Sequence, residues 1–146
     1  MHQTPIYSLR LVRDGSVATD RLPRMTRPDE VFHLIRTLIA DKTQENLIVL
    51  MLDASKRVIG ISTIYVGTID TIIYRLAEVF RPAILGMAHG IIIAHNHPGN
   101  DPNPSYADKI AMQEAVKAGK LLGIEVVDCV IVAHDAEISF KGQGYL

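Results

Sequence analysis

Apolar and polar positions follow different rhythms along the chain, and each rhythm predicts an element. Tyr7, Leu9 and Leu11 alternate with Ser8 and Arg10, then Asp14-Gly15 intervenes and Val17 resumes. A period of two broken by Asp-Gly predicts a β-hairpin over residues 6–19, followed by a loop over 20–27. Thr26, Pro28, Asp29 and Glu30 mark a helix start, and Val31, Leu34, Ile35, Leu38 and Ile39 recur at helical spacing as one apolar stripe. His33 lies beside that stripe and reads as an ordinary surface histidine. Residues 47–52 are almost unbroken apolar sequence, which predicts a central strand covered on both faces. After a turn at 53–56, residues 58–66 are rich in β-branched side chains and predict the next strand, ended by Gly67-Thr68. Residues 69–87 predict a second helical region with Ile72, Leu76, Val79, Phe80, Ala83 and Ile84 facing inward. Pro82 should bend or split it.

A short apolar run at 90–94 predicts a buried strand. A turn-rich stretch with Pro98, Gly99, Asn100, Pro102 and Asn103 follows, and Pro104-Ser105 opens a helix through Ile110, Val116 and Leu121. Gly123 is its natural stop. Residues 124–133 predict another strand, Asp135-Ala136 a turn, and 137–140 a short last strand. The order β–β–α–β–β–α–β–α–β–β argues for an α/β (α+β) fold, a mixed sheet flanked by helices.

Composition sets outer limits. A chain of 146 residues with 48% hydrophobic and 21% charged residues is expected to be one folded domain over 1–146, with 1–27 as a hairpin extension. Its net charge of −1 gives no sign of a nucleic-acid or acidic-membrane binder. Residues 1–36 hold Arg10, Arg13, Arg21, Arg24, Arg27 and Arg36 against four acids, and read as a solvated face or partner contact. The single cysteine, Cys129, excludes a disulfide framework and reads as a small buried residue. No signal-peptide core or membrane-length apolar run is present, so a cytoplasmic setting is the expectation.

The chemistry concentrates in residues 95–108. His95 and His97 are two apart, so an extended backbone puts both imidazoles on one face. Ser105 and Asp108 are three apart in the first turn of the next helix. Two histidines and one carboxylate are what a catalytic zinc requires, with a fourth position left for water. Asn96 and Pro98 read as shaping the loop. Asp101 reads chiefly as a turn former, though it could orient a ligand. Tyr106 reads as a half-exposed aromatic, and His89 and His134, near strand ends, as spare ligands at most.

The spacing His95-x-His97, seven residues, Ser105, two residues, Asp108 resembles the signature of the JAB/MPN metalloproteases, also called JAMM proteins. The expanded run His95-Asn96-His97-Pro98, Asp101-Pro102 and Pro104-Ser105 to Asp108 is similar to the bacterial RadC branch. The resemblance covers roughly residues 28–140. It implies a cytidine-deaminase-like MPN fold, one Zn²⁺ per chain held by His95, His97 and Asp108, and hydrolysis of a peptide or isopeptide bond in a protein or peptide substrate. It also implies an upstream glutamate opening a buried strand after the first helix. Glu45, in Gln44-Glu45-Asn46-Leu47, matches that position. Glu30 is the other acid in reach, but an acid in a first helical turn is ordinary dipole compensation. On this reading Glu45 moves the proton and the Ser105 hydroxyl supplies the oxyanion donor.

Two features depart from the branch. Leu76-Ala77 stands before Glu78-Val79-Phe80 where relatives carry Pro-Arg, and Cys129 stands where relatives often have histidine. A helical domain usually precedes this domain in the branch, and none is expected here. Competing readings are a non-catalytic binding module and a DNA-repair-associated protein, the branch's historical association. A zinc deaminase is excluded, because it needs His-x-Glu and Pro-Cys-x-x-Cys.

Overall fold

Residues Glu45–Leu52 form β1, and all eight are buried. In the computed structural model, which describes residues 1–67 and 75–146, the other elements are arranged around this strand. The order is α1 (Pro28–Ile39), β1, β2 (Val58–Gly67), α2 (Leu76–Leu85), β3 (Gly90–Asn96), α3 (Tyr106–Leu122), β4 (Glu125–Val132) and β5 (Glu137–Ser139). The five strands make one mixed sheet in the order β2-β1-β3-β4-β5. β1 runs antiparallel to both β2 and β3, while β3 and β4 are parallel. A parallel pair needs a long crossover, and α3 supplies it.

β1 and β3 are nearly continuous apolar sequence because both of their faces are covered. On one face α1 packs Val31, Leu34, Ile35 and Ile39 against Ile48, Leu50, Leu52, Ile92 and Ala94. On the other, Val79, Phe80 and Ala83 of α2 and Met112 and Ala115 of α3 cover Leu47, Val49, Met51, Ile91 and Ile93. The parity is strict: even-numbered positions of β1 and β3 face α1, and odd-numbered ones face α2 and α3. Cys129 is buried in the second layer, and burial pushes its thiol well above the ordinary range, as expected of a packing residue.

α3 ends at Gly123, whose φ of 71° is the left-handed cap that glycine adopts without strain. α2 continues through Pro82 as one helix, so the proline does not split it. The expected first turns of that helix, including Ile72, lie outside the described residues.

The expected hairpin does not form. No strand forms over residues 6–19, and residues 1–22 are exposed. The alternation there would give a hairpin with one apolar face, but Tyr7 and Leu9 are each 80% exposed, and an isolated hairpin is marginal in water. Leu11 shares a pocket with β2 and α2, and the backbone of the N-terminal segment bonds to the sheet edge at residues 23–25. There Val58 N–H donates to the Pro23 carbonyl at 2.9 Å and Met25 N–H to the Lys56 carbonyl at 3.0 Å. Among the described residues, no helix is long and apolar enough to cross a membrane.

Candidate metal centre

The site lies at one end of the sheet, where β1 begins and β3 ends. Strand β3 runs through His95 to Asn96, two residues further than the apolar run suggests. His95 pairs with Leu47 across β1, so it shares the face of Leu47, and by strand alternation so do Glu45 and His97. That face is the one covered by α3. The N-cap of α3 is Ser105, whose hydroxyl accepts from Asp108 N–H at 3.1 Å, while Asp108 Oδ2 accepts from Ser105 N–H at 2.8 Å. This reciprocal capping box fixes the Asp108 carboxylate at the helix start and aims it at the end of β3.

Three side chains converge there. His95 Nε2 lies 3.5 Å from Asp108 Oδ1, and His97 Nε2 lies 3.2 Å from Asp108 Oδ2. The two imidazole rings meet edge-on, with centroids 5.1 Å apart. One ligand atom from each of His95, His97 and Asp108 lies within 4.8 Å of the others, a set that could hold a metal ion. A tetrahedral ion with bonds near 2.1 Å separates its ligand atoms by about 3.4 Å, so the spacing fits one divalent cation.

The electrostatics agree with that geometry. Burial pushes His95 down to about 4, with the Asp108 charge opposing and His97 adding to the shift, so His95 is neutral at physiological pH. Its Nδ1 is buried with no hydrogen-bond partner among the described residues. His97 is raised, first by its hydrogen bond to Asp108 and also by the charge of Glu45, which places that carboxylate's field on the site. Burial works against the Asp108 charge, but His97, His95 and Ser105 together hold its pKa at about 2. A carboxylate this firmly ionised between two imidazoles is ready for a cation.

His97 is also fixed from behind. Its Nδ1 donates to the Asp101 carbonyl at 3.3 Å, which leaves Nε2 facing the site. The Asp101 side chain accepts from Asn103 N–H at 2.9 Å and from Asn103 Nδ2 at 2.7 Å, so it shapes the turn. Asp101 therefore holds His97 through its backbone carbonyl and shapes the turn through its side chain.

Other sequence candidates fall elsewhere. Glu30 pairs with Arg21 and Arg27, the latter at 2.8 Å, and is committed to the start of α1. His33 and His89 are exposed, and His134 pairs with Asp41 at 3.4 Å, so none joins the cluster. Tyr106 is largely exposed, more so than expected.

Two features escaped the sequence reading. The first is Asn96, which is a fully buried strand residue rather than part of a loop. An asparagine at the end of an apolar strand run, flanked by two histidines, was the available signal. The second is an open groove of about 610 Å³ lined by Asp41, Lys42, Thr43, Pro98, Asn100 and His134, none of which belongs to the cluster. Its walls come from loops far apart in sequence, so nothing local announces it.

Comparison with known families decides the lineage: residues 25–145 match the RadC-like JAB domain. The chain belongs to the RadC-like JAB domain family. Similar proteins include a UPF0758 protein of Caldanaerobacter subterraneus subsp. tengcongensis, 39% identical over 83% of this chain and 52% of that protein. A UPF0758 protein of Symbiobacterium thermophilum is 34% identical over 98% of this chain and 61% of that protein. One of Methanosarcina mazei is 29% identical over 84% of this chain and 54% of that protein. The chain thus spans little more than half the length of these relatives. The mixed sheet with its three helices is the scaffold on which this RadC-like JAB domain carries His95, His97 and Asp108.

Proposed function

We propose that this protein is a zinc-dependent amide hydrolase that cuts a peptide or isopeptide bond in a protein or peptide substrate. The observation that carries the reading is the convergence of His95, His97 and Asp108 at one strand end, with Glu45 on the same face. Two imidazole nitrogens and one carboxylate form a donor set suited to Zn²⁺, with a coordination position left over for solvent. Held there, zinc would supply Lewis acidity and would make water acidic enough to yield hydroxide near neutral pH.

The chain's own residues divide the remaining work. His95 and His97 bind as neutral imidazoles, and Asp108 contributes the charge. Glu45 accepts the proton of the attacking water and returns it to the departing amine nitrogen. The Ser105 hydroxyl uses a lone pair in the capping box and keeps its own proton, which it donates to the developing oxyanion.

The test is a peptide and isopeptide library turned over by zinc-loaded protein, with Glu45→Gln in parallel. Loss of the proton carrier is expected to slow hydrolysis by about 10²–10⁴-fold, with one zinc per chain still present by elemental analysis. Full turnover in Glu45→Gln removes Glu45 from the mechanism. Wild-type protein with zinc and no turnover of any amide overturns the hydrolase.

A further inference from the structure

The run His95-Asn96-His97 faces two ways. Strand alternation sends both imidazoles to the α3 side and the amide between them to the α1 side. Asn96 is completely buried there. Its Oδ1 accepts from the Asn46 backbone N–H at 2.6 Å. Its Nδ2 donates to the Lys42 carbonyl at 3.2 Å and to the Gln44 carbonyl at 3.0 Å. Asn46 Nδ2 donates to the same Gln44 carbonyl at 2.9 Å. All three partners of the Asn96 amide therefore lie in residues 42–46, and Glu45 sits between two of them. The backbone pairing of β1 with β3 stops at Leu47 and His95. One step further that ladder gives way to this side chain, which ties the start of β1 to β3 on the side where backbone pairing has ended, while β2 still pairs with Glu45 and Asn46 on the other.

We propose that Asn96 is a positioning residue for Glu45: it ties the 42–46 segment to the strand that carries two metal ligands. Glu45 is thereby held at a fixed offset from His95 and His97. The inference rests on reading Glu45 as the proton carrier of an amide hydrolase. The residue type follows from the partners. One backbone N–H needs an acceptor and two carbonyls need donors, and an uncharged carboxamide offers both at once. A carboxylate would present oxygen to both carbonyls, and an aliphatic side chain would take the amide's hydrogen bonds from the Asn46 N–H and the Lys42 carbonyl and leave the Gln44 carbonyl to Asn46 Nδ2 alone. A neutral amide also leaves the charge balance of the opposite face untouched.

The experiment uses the full chain loaded with zinc, as Asn96→Ala and as Asn96→Asp, which keeps volume and acceptor but lacks the donors. Hydrogen–deuterium exchange of the amides in 42–46 is expected to rise about tenfold in Asn96→Ala and less in Asn96→Asp. Zinc is expected to stay at one per chain in both. On a cleavable amide, kcat should fall about tenfold with KM unchanged, and this loss should vanish when Glu45→Gln is already present. A loss of equal size on the Glu45→Gln background makes Asn96 merely structural and overturns the proposal. Unchanged exchange in 42–46, or zinc lost in step with the amide, overturns it equally. If Asn96→Ala does not fold, the same readings on Asn96→Asp decide. If no amide is cleaved at all, the hydrolase reading falls, while exchange and zinc content still judge the tether.

Discussion

The end of the sheet that carries the site has two faces, and they bury polar groups by opposite means. On the α3 side, Glu45, His95, His97 and Asp108 are ionisable groups crowded together, with two imidazoles sharing one carboxylate. On the α1 side, Asn96, Asn46, Gln44 and Lys42 contribute only amides and carbonyls, and these satisfy one another. The neutral face is complete without a ligand. The ionisable face has its charges arranged for one more positive partner. The contrast separates scaffold from chemistry within three consecutive residues of β3. A buried network that satisfies itself rigidifies the fold, whereas the ionisable set could hold a metal ion.

The comparison can be broken most severely by removing a ligand. His95→Ala is expected to lower zinc affinity by well over the roughly 10–100-fold that the loss of a supporting group outside the ligand set costs. Competition with a chromophoric chelator measures this, and full metal retention would mean that the ionisable face is not a metal site. The amides in residues 42–46 should stay protected in that variant, because the neutral face does not depend on the ion.

Acid should distinguish the faces next. In metal-free protein, His95 has a folded pKa of about 4 against 6.5 ordinarily. Between those values the unfolded chain binds more protons than the folded one, so stability rises with pH and is lost on acidification from 6.5 toward 4. A shift of this size is on the order of 3 kcal/mol. His97, raised chiefly by its bond to Asp108, acts in the opposite sense. Its contribution is present below its ordinary value and is lost as pH climbs through the raised one. Denaturant unfolding at pH 4.5 and 7 should show the lower pH less stable, with a shallower slope in His95→Gln. The neutral face has nothing to titrate, so an unchanged slope in that variant would contradict the assignment.

A smaller effect sharpens the role of the helix start. Ser105→Ala removes the cap acceptor and is expected to cost about 1 kcal/mol of stability, with zinc content unchanged. Its effect on turnover, beyond that loss of stability, reports the hydroxyl's share in oxyanion binding. The smallest effect belongs far from the site. Deleting residues 2–19 should change unfolding stability by less than about 1 kcal/mol, since that segment is exposed throughout. A large loss would mean that the hairpin pattern in Tyr7–Leu11 and Val17 is used after all.

Much of the core could be read from periodicity alone. The α1 stripe of Val31, Leu34, Ile35 and Ile39, the unbroken β1 and the Gly123 stop appear as the spacing predicts. The same rules misread residues 6–19, because alternation describes a strand's faces and says nothing of whether anything covers them. Asn96 was misread for a related reason. Turn residues beyond it suggested a loop, whereas its partners are 50 to 54 positions away in sequence.

The sequence by itself determined the donor types, their period-of-two placement on a strand and the carboxylate in a helix's first turn, because these depend only on local backbone geometry. Only the tertiary structure decided that β1 starts beside the end of β3, that Glu45 shares the imidazoles' face, and that Asn96 turns to the other. Those facts follow from the pairing register and from which helix covers which face. Both are settled by the burial of side chains distant in sequence, and no local pattern encodes them.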